Sequence, residues 1–211
     1  MTVEARSVDE LIRSNSPLAG AEQQVLREWV AEWQFSASSF SPLAQPLIRG
    51  DPQALQTAYT TLASSSSPAS ARLAYSRMRE TSLRMPAMEV VIAGAQYYFP
   101  AKSHDERLGD YAGCLRFLHE LGVDVDGEDV AGFTAFMRAS QTKESRLDLA
   151  AELLALGADV NHRSRFGGVA LHEAIMAQDR AAVAFLRRSG ADMDVKDHDG
   201  VSPRDIVSLI L

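Results

Sequence analysis

Apolar positions recur three and four residues apart in short bursts along this chain, and in its C-terminal half each burst runs into a glycine. Leu115 and Leu118 precede Gly122, Ala150 and Leu153 precede Gly157, and Val183 and Leu186 precede Gly190. Apolar residues three apart just before a glycine describe one face of a helix that ends in a left-handed cap. Two positions after each glycine stand Asp124, Asp159 and Asp192, and ten after stand Gly132, Gly167 and Gly200. The later glycine suits a sharp turn into the next helix, where φ is positive. From Gly157 to Gly190 the columns repeat at 33 residues, and from Gly122 to Gly157 at 35. A fixed period of this size predicts stacked helical units and not a closed single-core domain.

The N-terminal half keeps the helical spacing and loses the regular period. Ser7 with Glu10 three later has capping-box spacing and predicts a short helix over 7–13. Residues 19–35 predict a longer one, with Val25, Leu26, Trp29, Val30 and Trp33 as an apolar stripe opposite Glu22, Arg27 and Glu28. This helix is expected to cover the apolar face of the first repeat, since stacked arrays need a terminal element there. Ser41-Pro42-Leu43 followed by Gly50-Asp51 reads as a degenerate helix, turn and helix over 40–63, with Pro46 awkwardly placed. The run 64–70, SSSSPAS, is expected to be a solvated loop. Residues 71–96 read as helical, with Pro86 at a helix start. Residues 97–109 interrupt the spacing with a long loop carrying Tyr97, Tyr98, Phe99 and His104, before a second helix at 110–121.

Val169, Ala170, Leu171, His172 and Ala174, and separately Gly157-Ala158-Asp159-Val160-Asn161, resemble the first-helix and terminator motifs of the ankyrin repeat family. Thr134-Ala135-Phe136-Met137 and Ser202-Pro203-Arg204-Asp205 occupy the same first-helix register. The resemblance implies an all-α, ankyrin-type helical solenoid with an N-terminal capping helix and irregular early repeats. Its parts would be capping helices at 1–39, degenerate repeats at 40–109, and regular repeats at 110–211, the last stopping after one helix as in a truncated array. It also implies a structural His172, its ring bonded to nearby backbone.

Composition narrows the chemistry. A formal charge of −7 opposes nucleic acid and anionic membranes. One cysteine, Cys114, excludes an intrachain disulfide, and no stretch is long and apolar enough for a membrane helix. A cytoplasmic setting is expected, with the nucleus as an alternative. The histidines His104, His119, His162, His172 and His198 show no metal spacing. Asp197-His198-Asp199 has acid-base groups, but lies in a turn column where the resembling family varies. Cys114 reads as a small buried hydrophobe beside Leu115 and Leu118. No phosphate loop, dinucleotide fingerprint or nucleophile elbow occurs. No cofactor, metal, small-molecule substrate or catalysis is therefore expected, and the partner is expected to be a protein.

The surface for that partner follows from the repeat register. Stacked helix pairs present first-helix side chains and turn tips on one concave side. The tips are 126–131, 161–166 and 194–199, and Arg163, Arg165 and Phe166 supply the residue types favoured at interface hot spots. On the first helices Arg138 and Gln141 align with Glu173 and Met176, and His198 joins them from the last tip. Two other classes remain: an enzyme or ligand-binding domain within 1–110 or beyond residue 211, recruiting through the repeats, and nucleic-acid binding through the basic tip 162–166.

Overall fold

The computed structural model describes residues 7–14, 18, 20–32, 34, 36–98, 109–141 and 146–210, and only the backbone of 8, 9, 12, 98 and 208–210. The regular elements among them are helical, besides one isolated bridge between Glu80 and Met85. They are α1 (Val8–Arg13), α2 (Gly20–Ala31), α3 (Gln45–Arg49), α4 (Pro52–Ser65), α5 (Pro68–Ser76) and α6 (Ala87–Ala93). Then follow α7 (Tyr111–Glu120), α8 (Ala135–Ala139), α9 (Leu147–Ala155), α10 (Ala170–Met176), α11 (Arg180–Arg188) and α12 (Pro203–Ile210).

Consecutive helices pair, α3 with α4, α6 with α7, α8 with α9 and α10 with α11, while α5 folds back on α4 and α1 packs on α2. The shorter first helices pack one on the next in chain order, α3 on α6, α6 on α8, α8 on α10 and α10 on α12. The second helices α4, α7 and α9 pack in a row of their own. This order follows from the apolar columns. Leu118, Leu153 and Leu186 have no exposed surface, and each such leucine contributes roughly 1.5–3 kcal/mol of burial. The first helices carry the core: every residue of α6 and four of the five in α8 are buried. At Gly94, just after α6, an added Cβ would fall 2.3 Å from the Ile48 carbonyl oxygen, so the close approach of this turn to α3 requires glycine.

Local chemistry explains the helix ends. Ser7 and Glu10 form the expected reciprocal capping box at α1. Pro46 sits in the first turn of α3, where a missing N–H costs nothing, so the proline that looks awkward in the sequence starts the helix. Thr134 accepts from the Met137 N–H at the start of α8 (3.3 Å), and Asp110 from the Gly113 N–H at the start of α7 (2.7 Å).

Two expectations are corrected. The serine run is not a loop: it forms the last turn of α4 and the cap of α5. Ser64 and Ser66 hydroxyls donate back to the carbonyls of Thr60 (2.8 Å) and Leu62 (2.7 Å), and Ser67 Oγ accepts from the Ser70 N–H (3.1 Å). Serine so bonded is compatible with helix. The helix α2 does not cover the first hairpin. It lies instead across the turns that follow α9 and α11, with Leu26 of its apolar stripe buried, Val25, Trp29 and Val30 half-buried against the core, and Glu22 and Gln23 buried beside them. Trp33, Phe99, His104 and the serine-flanking turn residues 142–145 lie outside the described residues, and most of the 97–109 insertion with them.

Candidate functional site

The turn tips are built alike. In each, a backbone N–H bonds across the turn: Asp129 to the Phe133 carbonyl (3.0 Å), Ser164 to Gly168 (2.9 Å) and Asp197 to Val201 (2.9 Å). The side chains of those residues then cap the turn from inside. Asp129 Oδ1 accepts from the N–H groups of Ala131 and Phe133, and Asp197 Oδ1 from those of Asp199 and Val201. Each tip is also bonded to the one before it, Arg165 N–H to the Ala131 carbonyl (2.9 Å) and His198 N–H to the Phe166 carbonyl (3.1 Å). The tips thus form a continuous hydrogen-bonded row. Gly132 and Gly167 make the approach possible. Both have positive φ, and at Gly167 a Cβ would stand 2.6 Å from the His198 ring and 2.8 Å from its backbone nitrogen.

His172 anchors the row to α10. Its Nδ1 accepts from the Val169 N–H (3.1 Å), and its Nε2 lies 3.1 Å from the Val201 carbonyl, to which it donates. The ring is buried, and this is the structural role expected of it.

Between the tips, the first helices and α2 lies a cavity of about 660 Å³, lined by Phe133, Arg138, Gln141, Phe166, Glu173 and Met176 among others. Five of the residues singled out from the sequence therefore meet at one place. Met176 is 67% exposed and Phe166 only 7%. Phe166 is covered by the Arg27 guanidinium of α2, 4.8 Å from the ring centroid. His198 lies beside this groove, exposed, with Nδ1 3.2 Å from Gln23 Nε2. Arg163 and Arg165 do not line it. Arg163 donates to the Lys196 carbonyl (2.6 Å), and Arg165 to the carbonyls of Val130 (2.8 Å) and Leu11 (2.9 Å), so both tie backbone segments together.

Beneath the groove sits an ionic cluster. Arg138 Nε donates to Glu89 Oε1 (3.0 Å), its Nη2 to Asp129, and its guanidinium lies 4.4 Å from the Phe133 centroid. Gln96 Nε2 donates to the Arg138 carbonyl (2.8 Å). Both carboxylates are essentially without exposed surface. Burial, with the neighbouring Asp129 charge adding to it, pushes the Glu89 carboxyl well above the usual carboxylate range. The same two acids hold Arg138 protonated against its own desolvation. One guanidinium facing two carboxylates is a compact folding device that ties the tip to the first helices, with Glu89 Oε2 left buried and without a hydrogen-bond partner.

Elsewhere, Glu128 raises the pKa of His162, whose Nε2 lies 3.1 Å from Glu128 Oε1, and so links two adjacent tips. Burial pushes the Cys114 thiol up to about 12, which leaves it a packed hydrophobe and not a nucleophile. Among the described residues no group of three or more His, Cys, Asp or Glu side chains has metal-binding geometry. No described helix is long and apolar enough to cross a membrane.

Sequence reasoning missed Glu89, and placed Asp129 only within the tip 126–131. It also missed Gln23 and Arg27. A signal for the α2 residues existed, because Gln23, Leu26, Arg27 and Val30 follow the i, i+3, i+4, i+7 spacing of one helix face. Glu89 carried none beyond being a charge inside an apolar run.

No family model matches the chain. It is 32% identical over 83 residues to a provisionally named ankyrin repeat protein of Acanthamoeba polyphaga mimivirus, covering 39% of this chain and 11% of the relative. It is 31% identical over 85 residues to a potassium channel of Arabidopsis thaliana, covering 40% of this chain and 10% of the relative. The chain thus spans about a tenth of the length of these curated relatives.

Proposed function

We propose that the chain is an ankyrin-type helical solenoid that recognises a protein partner through its groove, and that it performs no chemistry of its own. The ordered packing of first helices, the bonded row of tips and the name of the viral relative support the solenoid reading. The observation that carries the functional reading is the groove itself. Its floor is apolar, it is rimmed by Glu173 and the tip acids, and it leaves the thioether of Met176 in solvent. An exposed Met beside buried aromatics is surface chemistry suited to an adaptable protein contact. The ionic cluster is spent on holding tip to helix, which favours recognition over acid-base work.

The test is site-specific photocrosslinking in the full chain. A photoreactive phenylalanine analogue in place of Met176 should give a discrete protein adduct that is lost when Glu173→Arg is added. The same analogue in place of Arg187, on the exposed face of α11, should give none. Equal adducts from both positions would remove the groove as the recognition surface.

A further inference from the structure

The helix α2 stands outside the repeat, yet it is the element that roofs the groove. Its hold is thin. Leu26 is its one fully buried aliphatic side chain. Arg27 meets Asp199 at 3.7 Å, with the two side chains 45% and 66% exposed, and exposed pairs of this kind add little. Gln23 reaches His198 (3.2 Å), and Arg165 holds the end of α1 through the Leu11 carbonyl (2.9 Å). About 660 Å³ remains beneath α2, so it does not fill the space it covers. The lining pairs an apolar floor of Phe133, Phe166, Val201 and Ile206 with three acids, Glu173, Asp197 and Asp199. Asp199 is taken by Arg27 and Asp197 by its own turn, while Glu173, half-buried on the wall, has no ion-pair partner among the described residues.

We propose that the groove's partner is a basic amphipathic helix, and that α2 is its built-in competitor, held over the site until that helix displaces it. The proposal rests on the groove reading above and names the class of occupant. What the groove accepts is shown by what lies on it. Of α2, Arg27, Val30 and Ala31 line the groove, with Arg27 stacked on Phe166 and paired with Asp199, and Gln23 and Leu26 continue the same helical face. A partner helix with the same face, larger apolar side chains and a second basic residue near Glu173 gains the unfilled volume and the unpaired charge. Recognition of this kind lays a helix into a groove through i, i+3, i+4 and i+7 anchors.

The test uses the full chain and two synthetic peptides. The first is residues 18–34 with Glu28 and Glu32 replaced by lysine; the second is its twin carrying glutamate at the Arg27 position. The basic peptide is expected to bind and the twin not. Arg27→Glu in the protein, at an exposed position, should tighten binding of the basic peptide at least tenfold, and Glu173→Lys should weaken it by a similar factor. Amide exchange at 20–31 should accelerate when the peptide binds, with α6 and α8 unchanged as the control for folding. Binding with no tightening by Arg27→Glu and no change at 20–31 would overturn the competitor role and leave the groove reading standing. If the basic peptide binds neither protein while Met176 still crosslinks a partner, the basic-helix class is wrong and the groove is right. Loss of both peptide binding and crosslinking would sink the two together.

Discussion

Arg138 looks, in the sequence, like a groove-facing contact residue, and its surroundings give it a different main duty. Its guanidinium stands between Glu89 and Asp129, with 20% of its side chain exposed at the cavity wall. Removing it leaves two buried carboxylates uncompensated. Arg138→Met is therefore expected to cost about 3–5 kcal/mol, the range for breaking one partner out of a buried ion pair, measured by urea denaturation at neutral pH. Glu89→Gln should behave in the opposite way, since the amide oxygen can still accept from Arg138 Nε. The sign with pH follows from the raised Glu89 pKa. Between its ordinary value of 4.5 and its folded value the native state binds the extra proton, so the wild type loses stability as pH rises through that window. Glu89→Gln should flatten this fall, and its stability relative to wild type should improve steadily from about pH 4.5 upward. A parallel pair of curves would mean that Glu89 titrates normally.

At the scale of the element, the tip is the unit that repeats, and the glycines before and after it are not equivalent. Gly157 and Gly167 both have positive φ, 98° and 78°. At Gly157 a Cβ would meet nothing within 4 Å, whereas at Gly167 it would run into the His198 ring and backbone. Gly157→Ala should therefore cost only the left-handed backbone penalty, about 1–2 kcal/mol. Gly167→Ala should cost that plus an overpacking penalty of about 1–3 kcal/mol. Denaturant midpoints of the two variants check the difference, and equal costs would mean that the tips are not packed one on another as described. Both glycine columns are visible in the sequence; the difference between them depends on the neighbouring tip.

Across the whole molecule, burial is concentrated in the middle. All seven residues of α6 are buried, against Ala182 and Leu186 alone in α11. On the proposed solenoid reading, in which each hairpin packs mainly on its neighbours, local opening should follow that gradient. Amide exchange is expected to be slowest in α6 and α8, faster in α11 and faster again in α12. Exchange as slow in α11 as in α6 would indicate one closed cooperative core in place of a graded stack. The curvature of chemistry across the molecule is similar: polar ties hold the tips, while the apolar row of first helices holds the rest.

Most of the helices, the capping box at Ser7 and the left-handed glycines were legible from residue spacing, and the structural His172 from the resemblance its motif carries. Those features depend on neighbours a few residues away, and the 3.6-residue period writes them directly into the chain. The convergence of Arg138, Gln141, Phe166, Glu173 and Met176 on one cavity was also legible, because a repeat places equivalent columns side by side. What only the tertiary structure decided were the contacts that obey no period. Arg138 reaches Glu89 across 49 positions, Arg165 reaches Leu11 across 154, and Gln23 reaches His198 across 175. An apolar stripe states that a helix face must be buried, not against which of several apolar surfaces. The choice of α2 to lie over the groove and not over the first hairpin was made by shape, by Arg27 finding both Phe166 and Asp199, and by Arg165 finding a free carbonyl at the end of α1.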